Sequence, residues 1–215
     1  MNIGVLGSGG VGRTLGAGFV KIGHAVMIGS RDPNKREVQD WVRQTAGTKA
    51  GTFEEAARFG EMILLAVQGT IAGSVVEMAG AANFSGKTVI DACNPIADGP
   101  PVNGILPFFT GPNESLGEAI QARIPAAHVV KAFNSVGQGL MIDPGFSEGT
   151  PTMFLCGDDA GAKAQVAEII RKFQWEPYDC GGIIAARALE PLCMLWLIPG
   201  FLRNEWRHAF KLLTK

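Results

Sequence analysis

Clustered metal ligands, an excess of charge of either sign and a long uninterrupted apolar run are all missing from this 215-residue sequence. Charged residues make up 18% and sum to a formal net charge of −1, so no basic surface excess is available to a phosphate backbone. Nucleic acid is therefore not expected as a partner. With 47% hydrophobic residues the chain also lacks the sparse apolar content of a disordered segment. The four cysteines, Cys93, Cys156, Cys180 and Cys193, are scattered, with no C-x-x-C and no histidine cluster. That excludes the usual zinc spacings and implies reduced, mostly buried thiols in a cytoplasmic protein. Met1-Asn2 leads directly into Ile3-Gly4-Val5-Leu6, without the basic segment or cleavage site of a signal peptide. The most apolar stretch, residues 191–202, is too short to span a bilayer and is followed by Arg203, Glu205 and Arg207. It reads as a buried helix, and no membrane is expected. Tyrosine occurs once and histidine three times, which leaves few side chains for acid–base work.

What the chain has in quantity is glycine, 29 residues against a background of roughly 7%, as expected where turns are tight and backbones approach closely. Short apolar runs at residues 2–6, 25–28, 62–67, 88–91 and 129–133 read as buried parallel strands. Helical patterns lie between them, at 11–22, 33–46, 53–59, 71–82 and 114–123. Thr52 followed by Glu55 is a capping box, and Asp32-Pro33 suits a second helix start. Further on come a strand at 152–156, a helix at 160–173 capped by Asp159, and a strand near 175–178. Two terminal helices, 183–198 and 201–213, are expected with a break at Pro199-Gly200. The pattern is that of an α/β fold: a doubly wound parallel sheet of Rossmann type, residues 1–180, with a small C-terminal helical lobe, 181–215. Residues 97–112 hold four prolines and form a loop longer than most in a compact domain, as lids and disordered excursions are.

Gly7-Ser8-Gly9-Gly10-Val11-Gly12 matches G-x-G-x-x-G, and its context gives it weight. It follows the first strand and opens a helix with apolar residues Val11, Leu15, Phe19 and Ile22 on one face. Gly7 allows the tight turn, Gly9 lets backbone approach a pyrophosphate, and Gly12 packs helix on strand. Where enzymes that bind NAD commonly place Asp or Glu, after the second strand, this chain reads Gly29-Ser30-Arg31. A carboxylate would repel a ribose 2′-phosphate, whereas a guanidinium binds it with paired, charge-assisted bonds. The expected cofactor is thus NADP(H), with Ser30 adding a hydroxyl and Lys35 a second charge. Arg31 as a solvated turn residue paired with Asp32 is the other reading.

With these motifs, and with VVKAFNSVG (Val129 to Gly137) and ARALEPLCMLWL (Ala186 to Leu197), the chain resembles the NADPH-dependent coenzyme F420 reductases. The cytosolic oxidoreductase domains of STEAP-type membrane ferric reductases are similar. The resemblance covers nearly the whole length. It implies a Rossmann domain with a helical lobe, a homodimer, and a cleft that sets a deazaflavin ring on the nicotinamide. It also implies that Ala66, Val67 and Gln68 lie along the adenosine and ribose side and that Asn94-Pro95 lies beside the cofactor. Asn134 and Val136 would approach the nicotinamide. F420 reductases can carry histidine where this chain has Asn134, which leaves the acceptor open.

Oxidation of an alcohol needs a positioned base. Tyr178, His24, His128 and His208 all sit in places suited to surface or packing roles, and Lys131 could point to the site or to solvent. Hydride exchange between two conjugated rings needs chiefly proximity and orientation. The small-molecule acceptor is accordingly expected to be F420 or a flavin, with Arg187, Glu190 and Trp196, or Phe108 and Phe109 of the 97–112 loop, as walls of its pocket. Another NADP-dependent reductase, or a non-catalytic NADPH sensor, is the alternative.

Overall fold

A computed structural model describes residues 1–215. Its first half alternates strictly: β1 (Asn2–Leu6), α1 (Gly10–Lys21), β2 (Ala25–Gly29), α2 (Arg36–Gln44), β3 (Thr48–Gly51), α3 (Phe53–Phe59), β4 (Met62–Leu65), α4 (Gly69–Ala79) and β5 (Thr88–Asp91). The second half holds α5 (Leu116–Arg123), β6 (His128–Lys131), β7 (Thr152–Gly157), α6 (Ala160–Lys172), β8 (Glu176–Asp179) and α7 (Ala186–Arg203). One sheet of eight strands runs β3-β2-β1-β4-β5-β6-β7-β8, parallel throughout except between β6 and β7. The order reverses between β1 and β4, and a ligand crevice is expected outside the carboxyl ends of the strands at such a reversal.

The central strands are buried on both faces, which is why β1, β4 and β5 are short apolar runs rather than alternating ones. The capping box at Thr52 and Glu55 is formed, and Asp159 accepts a hydrogen bond from Ala162 N at the start of α6. The expected fold class holds, with local corrections. β3 was not expected, because Thr48-Lys49-Ala50-Gly51 has no apolar run; the free edge of β2 recruits it, Val26 opposite Thr48. α2 begins at Arg36, because Asp32 closes a turn by accepting from Asn34 N instead of capping the helix. β6 ends at Lys131, two residues early, since Phe133 turns into the left-handed region at φ +62°.

The larger correction is at the C-terminus. α7 runs unbroken through Pro199-Gly200 to Arg203 and ends on Asn204 in left-handed conformation. Pro199 costs the helix a bond to a carbonyl on its exposed side, at Leu195, which water can satisfy. Gly200 lets the Trp206 ring lie against the backbone, where a Cβ would stand 2.2 Å from it. The expected helix 201–213 does not form. Instead Phe210 O accepts from Thr152 N, and Leu212 N donates to Thr152 Oγ1, so the tail lies against the start of β7. The continuous helical segment Ile183–Arg203 has the length and hydropathy, 1.4, of a membrane span, contrary to the short run read from sequence. In this structure it packs on α5 and β7.

Candidate functional site

A cleft of about 1080 Å³ opens at the carboxyl ends of β2, β1, β4 and β5. At its centre is the turn from β1 into α1. Gly7 sits at φ +129°, and a Cβ there would stand 2.2 Å from Ala66 O, so only glycine passes. Gly9 is the reverse case: a Cβ would meet nothing within 4 Å, because that face looks into open space. Helix α1 has no side-chain cap and no acidic residue in its first turn, so its leading amides and positive dipole end remain available to an anion. Ser8, Gly10 and Val11 line the cleft beside them. Gly12 does not; it lies inside the helix–strand contact, its Cβ position 1.9 Å from Gly7 O, in the packing role expected of it.

At one end of the cleft stand Ser30, Arg31, Asp32 and Lys35. The Ser30 hydroxyl accepts from Asp32 N and lies 3.4 Å from the Ser8 hydroxyl, which ties this turn to the glycine loop. Asp32 spends one oxygen on Asn34 N, and Arg31 pairs with no carboxylate, Asp32 included. An exposed, unpaired guanidinium beside a hydroxyl at the end of β2 fits a ribose 2′-phosphate.

From the glycine turn the opposite wall continues through Ala66, Val67 and Gln68, after β4, to Ala92, Cys93 and Asn94, after β5. The remaining wall belongs to the 97–112 loop. It folds back on itself through Ala97 N to Pro107 O and Phe109 N to Pro95 O, and it rests on α7 where Leu106 N meets Met194 Sδ at 3.3 Å. Ile96, just before this loop, and Leu106 within it, not Phe108 or Phe109, face the cleft. Sequence reading missed them because no periodicity marks which side of an irregular loop turns inward.

Several residues expected here lie elsewhere. Pro95, Asn134 and Val136 are buried behind the lining. Asn134 reaches the site only through Asn94: Asn94 Nδ2 donates to Asn134 O at 2.8 Å, and Asn134 Nδ2 donates back to Asn94 Oδ1 at 3.1 Å and to Leu189 O at 2.7 Å. Arg187 makes a two-pronged pair with Glu118, at 2.9 and 2.8 Å, and Trp196 stacks on His208. Neither wall expected of α7 is therefore present. Glu190 is turned inward, to a cluster that the sequence did not suggest.

That cluster lies directly behind Cys93. Lys131 Nζ, fully buried, stands 2.6 Å from Asp91 Oδ2, 2.8 Å from Glu190 Oε1 and 2.9 Å from Cys93 O. Glu190 also accepts from Leu116 N and Gly117 N at the start of α5, and Asp91 accepts from Cys93 N. Burial by itself would pull the Lys131 ammonium down, but the Asp91 and Glu190 carboxylates outweigh it and hold the ammonium above its ordinary range. Burial pushes the Cys93 thiol well up, so it is no nucleophile at neutral pH.

Comparison with known proteins decides between nucleotide chemistries that share this frame. Residues 2–95 match the family described as NADP oxidoreductase, coenzyme F420-dependent. The crystal structure of a candidate F420-dependent NADP-reductase from Arthrobacter sp. FB24 superposes with a TM-score of 0.91 at 32% identity, covering 99% of both chains. The chain belongs to the F420-dependent NADP oxidoreductase family. Metalloreductase STEAP3 of Rattus norvegicus is 31% identical over 93% of this chain, which spans 38% of STEAP3. An imine reductase from Streptomyces aurantiacus, at 16% identity and a TM-score of 0.70, shares the fold alone. As a member of this family the protein is an NADP-dependent oxidoreductase, and the glycine turn, the uncapped α1 and the free Arg31 all fit that nucleotide.

Proposed function

We propose that the chain transfers hydride between NADPH and a conjugated ring acceptor, coenzyme F420 or a flavin, in the cytoplasm and as a homodimer. The observation that carries the reading is the composition of the far end of the cleft. Beyond the glycine turn its titratable side chains are Cys93, locked as a thiol by burial, and Asp98, exposed on the loop. No histidine, tyrosine or lysine lines that end. Such a wall suits a reaction whose proton can come from water and whose acceptor spreads charge over a ring.

Each residue then has a definite task. Gly7 and Gly9 shape the turn so that the α1 amides receive the pyrophosphate, and Arg31 with Ser30 and Lys35 receives the 2′-phosphate. Ala66, Val67 and Gln68 border the path toward Asn94, whose amide the Asn134 clasp holds in one orientation. When bound, the dihydronicotinamide supplies the hydride. Ile96 and Leu106 exclude water from that end and offer an apolar face to a flat acceptor. Leu195 and Leu202 of α7 and Val102 and Ile105 of the loop are exposed apolar side chains that a second copy would cover.

Steady-state oxidation of NADPH with F420, FMN, FAD and ferric chelates tests this. Turnover with F420 or a flavin is expected. A protein that binds NADPH and reduces none of them is not a hydride carrier of this kind.

A further inference from the structure

The charges buried behind Cys93 do not balance. Asp91 and Glu190 act only as acceptors, toward Cys93 N and toward Leu116 N and Gly117 N, as carboxylates do, and Lys131 is the one cation among them. Two negative charges and one positive leave an excess of one negative charge, with neither carboxylate more than 1% exposed. The start of α5 offsets part of that excess through its dipole. Arg187 and Glu118, on the outer side of α5 and α7, pair with each other and cancel. A purely structural clamp between α7 and the sheet would be cheaper with matched charges, since burying an unmatched one is costly.

The place of the cluster gives the excess charge a use, and this step rests on the NADPH reading above. Across the cleft the strand ends follow one another as β2, β1, β4, β5. Arg31 at β2 takes the adenosine end, so the nicotinamide end falls toward Cys93 and Asn94 after β5. The Cys93 carbonyl is itself held by Lys131. When the C–H bond at the ring's C4 breaks, both electrons leave with the hydrogen to the acceptor, and the ring gains a unit positive charge. We propose that the unmatched negative charge of the Asp91–Lys131–Glu190 cluster stabilises the oxidised, positively charged nicotinamide over the reduced one, and so biases the bound cofactor toward giving up hydride. Glu190 and Asp91 act through the field, without touching the ring. A unit charge about 10 Å away at an effective dielectric of about 20 corresponds to roughly tenfold in an equilibrium constant.

The test is the ratio Kd(NADP⁺)/Kd(NADPH), measured by titration of the intact protein and of Glu190→Gln and Asp91→Asn. Each variant removes one negative charge and keeps the side-chain shape, so the ratio is expected to rise about three- to tenfold in both. A structural defect would weaken both nucleotides alike; an unchanged ratio in the folded variants overturns the proposal. Should one variant fail to fold in a thermal melt, the other decides. Should both fail, the wild-type ratio decides: one or below supports the bias, above one overturns it. Wild-type protein that binds neither nucleotide instead overturns the NADPH reading on which the bias depends.

Discussion

Lys131 Nζ and Glu190 Oε1 lie 2.8 Å apart, out of contact with solvent, and so the last strand of the parallel set is tied to the terminal helix by a buried ion pair. The pair does two things at once. It fixes α7 against the start of α5, and through the Cys93 carbonyl it fixes the backbone that lines the far end of the cleft.

Removing the cation should be expensive. Lys131→Met leaves Asp91 and Glu190 buried together without a counter-charge, a loss of about 3–5 kcal/mol. Urea unfolding of the variant against wild type checks it, and a loss under about 1 kcal/mol would mean that water reaches the carboxylates.

Arg31 makes no ion pair that its loss would break, so Arg31→Ala is expected to leave stability unchanged. NADPH affinity should fall about tenfold or more, the worth of a charge-assisted contact to a phosphate, with NADH affinity little altered. Fluorescence titration with the two nucleotides measures the difference, and equal losses would place the 2′-phosphate elsewhere.

The two glycines of the turn should separate binding from folding. Gly9→Val points its side chain into the open cleft, so the fold survives and binding of both nucleotides is lost. Gly7→Ala drives a Cβ to 2.2 Å from Ala66 O in a left-handed backbone, so stability falls. Melting temperature and nucleotide titration of the two variants give opposite patterns.

Alkali should unfold the protein in a definite order. Cys156 and Cys193 are pushed up to about 12 by burial, so the folded state holds their protons more tightly than the unfolded chain. Their contribution is complete below the ordinary thiol range and declines once the pH passes about 9. Lys131, also raised, holds its contribution to higher pH still. Urea midpoints are expected to be level from pH 6 to 8 and to fall above 9; Cys156→Ala should make that fall shallower, with Cys193 still contributing to it.

Much of this was legible in the residues. The alternation of short apolar runs with amphipathic helices, the G-x-G-x-x-G turn and Ser30-Arg31 at the end of β2 depend on neighbours within about 30 positions. Sequence spacing therefore reports them, and the structure puts them at the cleft. Local rules erred where a distant partner outweighed them. β3 has no apolar pattern and exists because β2 had an edge to fill. Helix α7 crosses Pro199-Gly200 because the lost hydrogen bond falls on its exposed side, where Leu195 lies, and Trp206 folds back on Gly200.

The chain's own order thus determined the strand–helix alternation, the glycine turn after β1 and the unpaired guanidinium at the end of β2. Tertiary structure alone decided that Asp91, Lys131 and Glu190 share one dry site, that Asn134 works through Asn94, and that Leu106 rather than Phe109 faces the cleft. The reason is physical. A periodic pattern encodes which face of an element is apolar, but a buried charge finds its partners by where separate elements meet, and that separation is up to 99 residues, between Asp91 and Glu190.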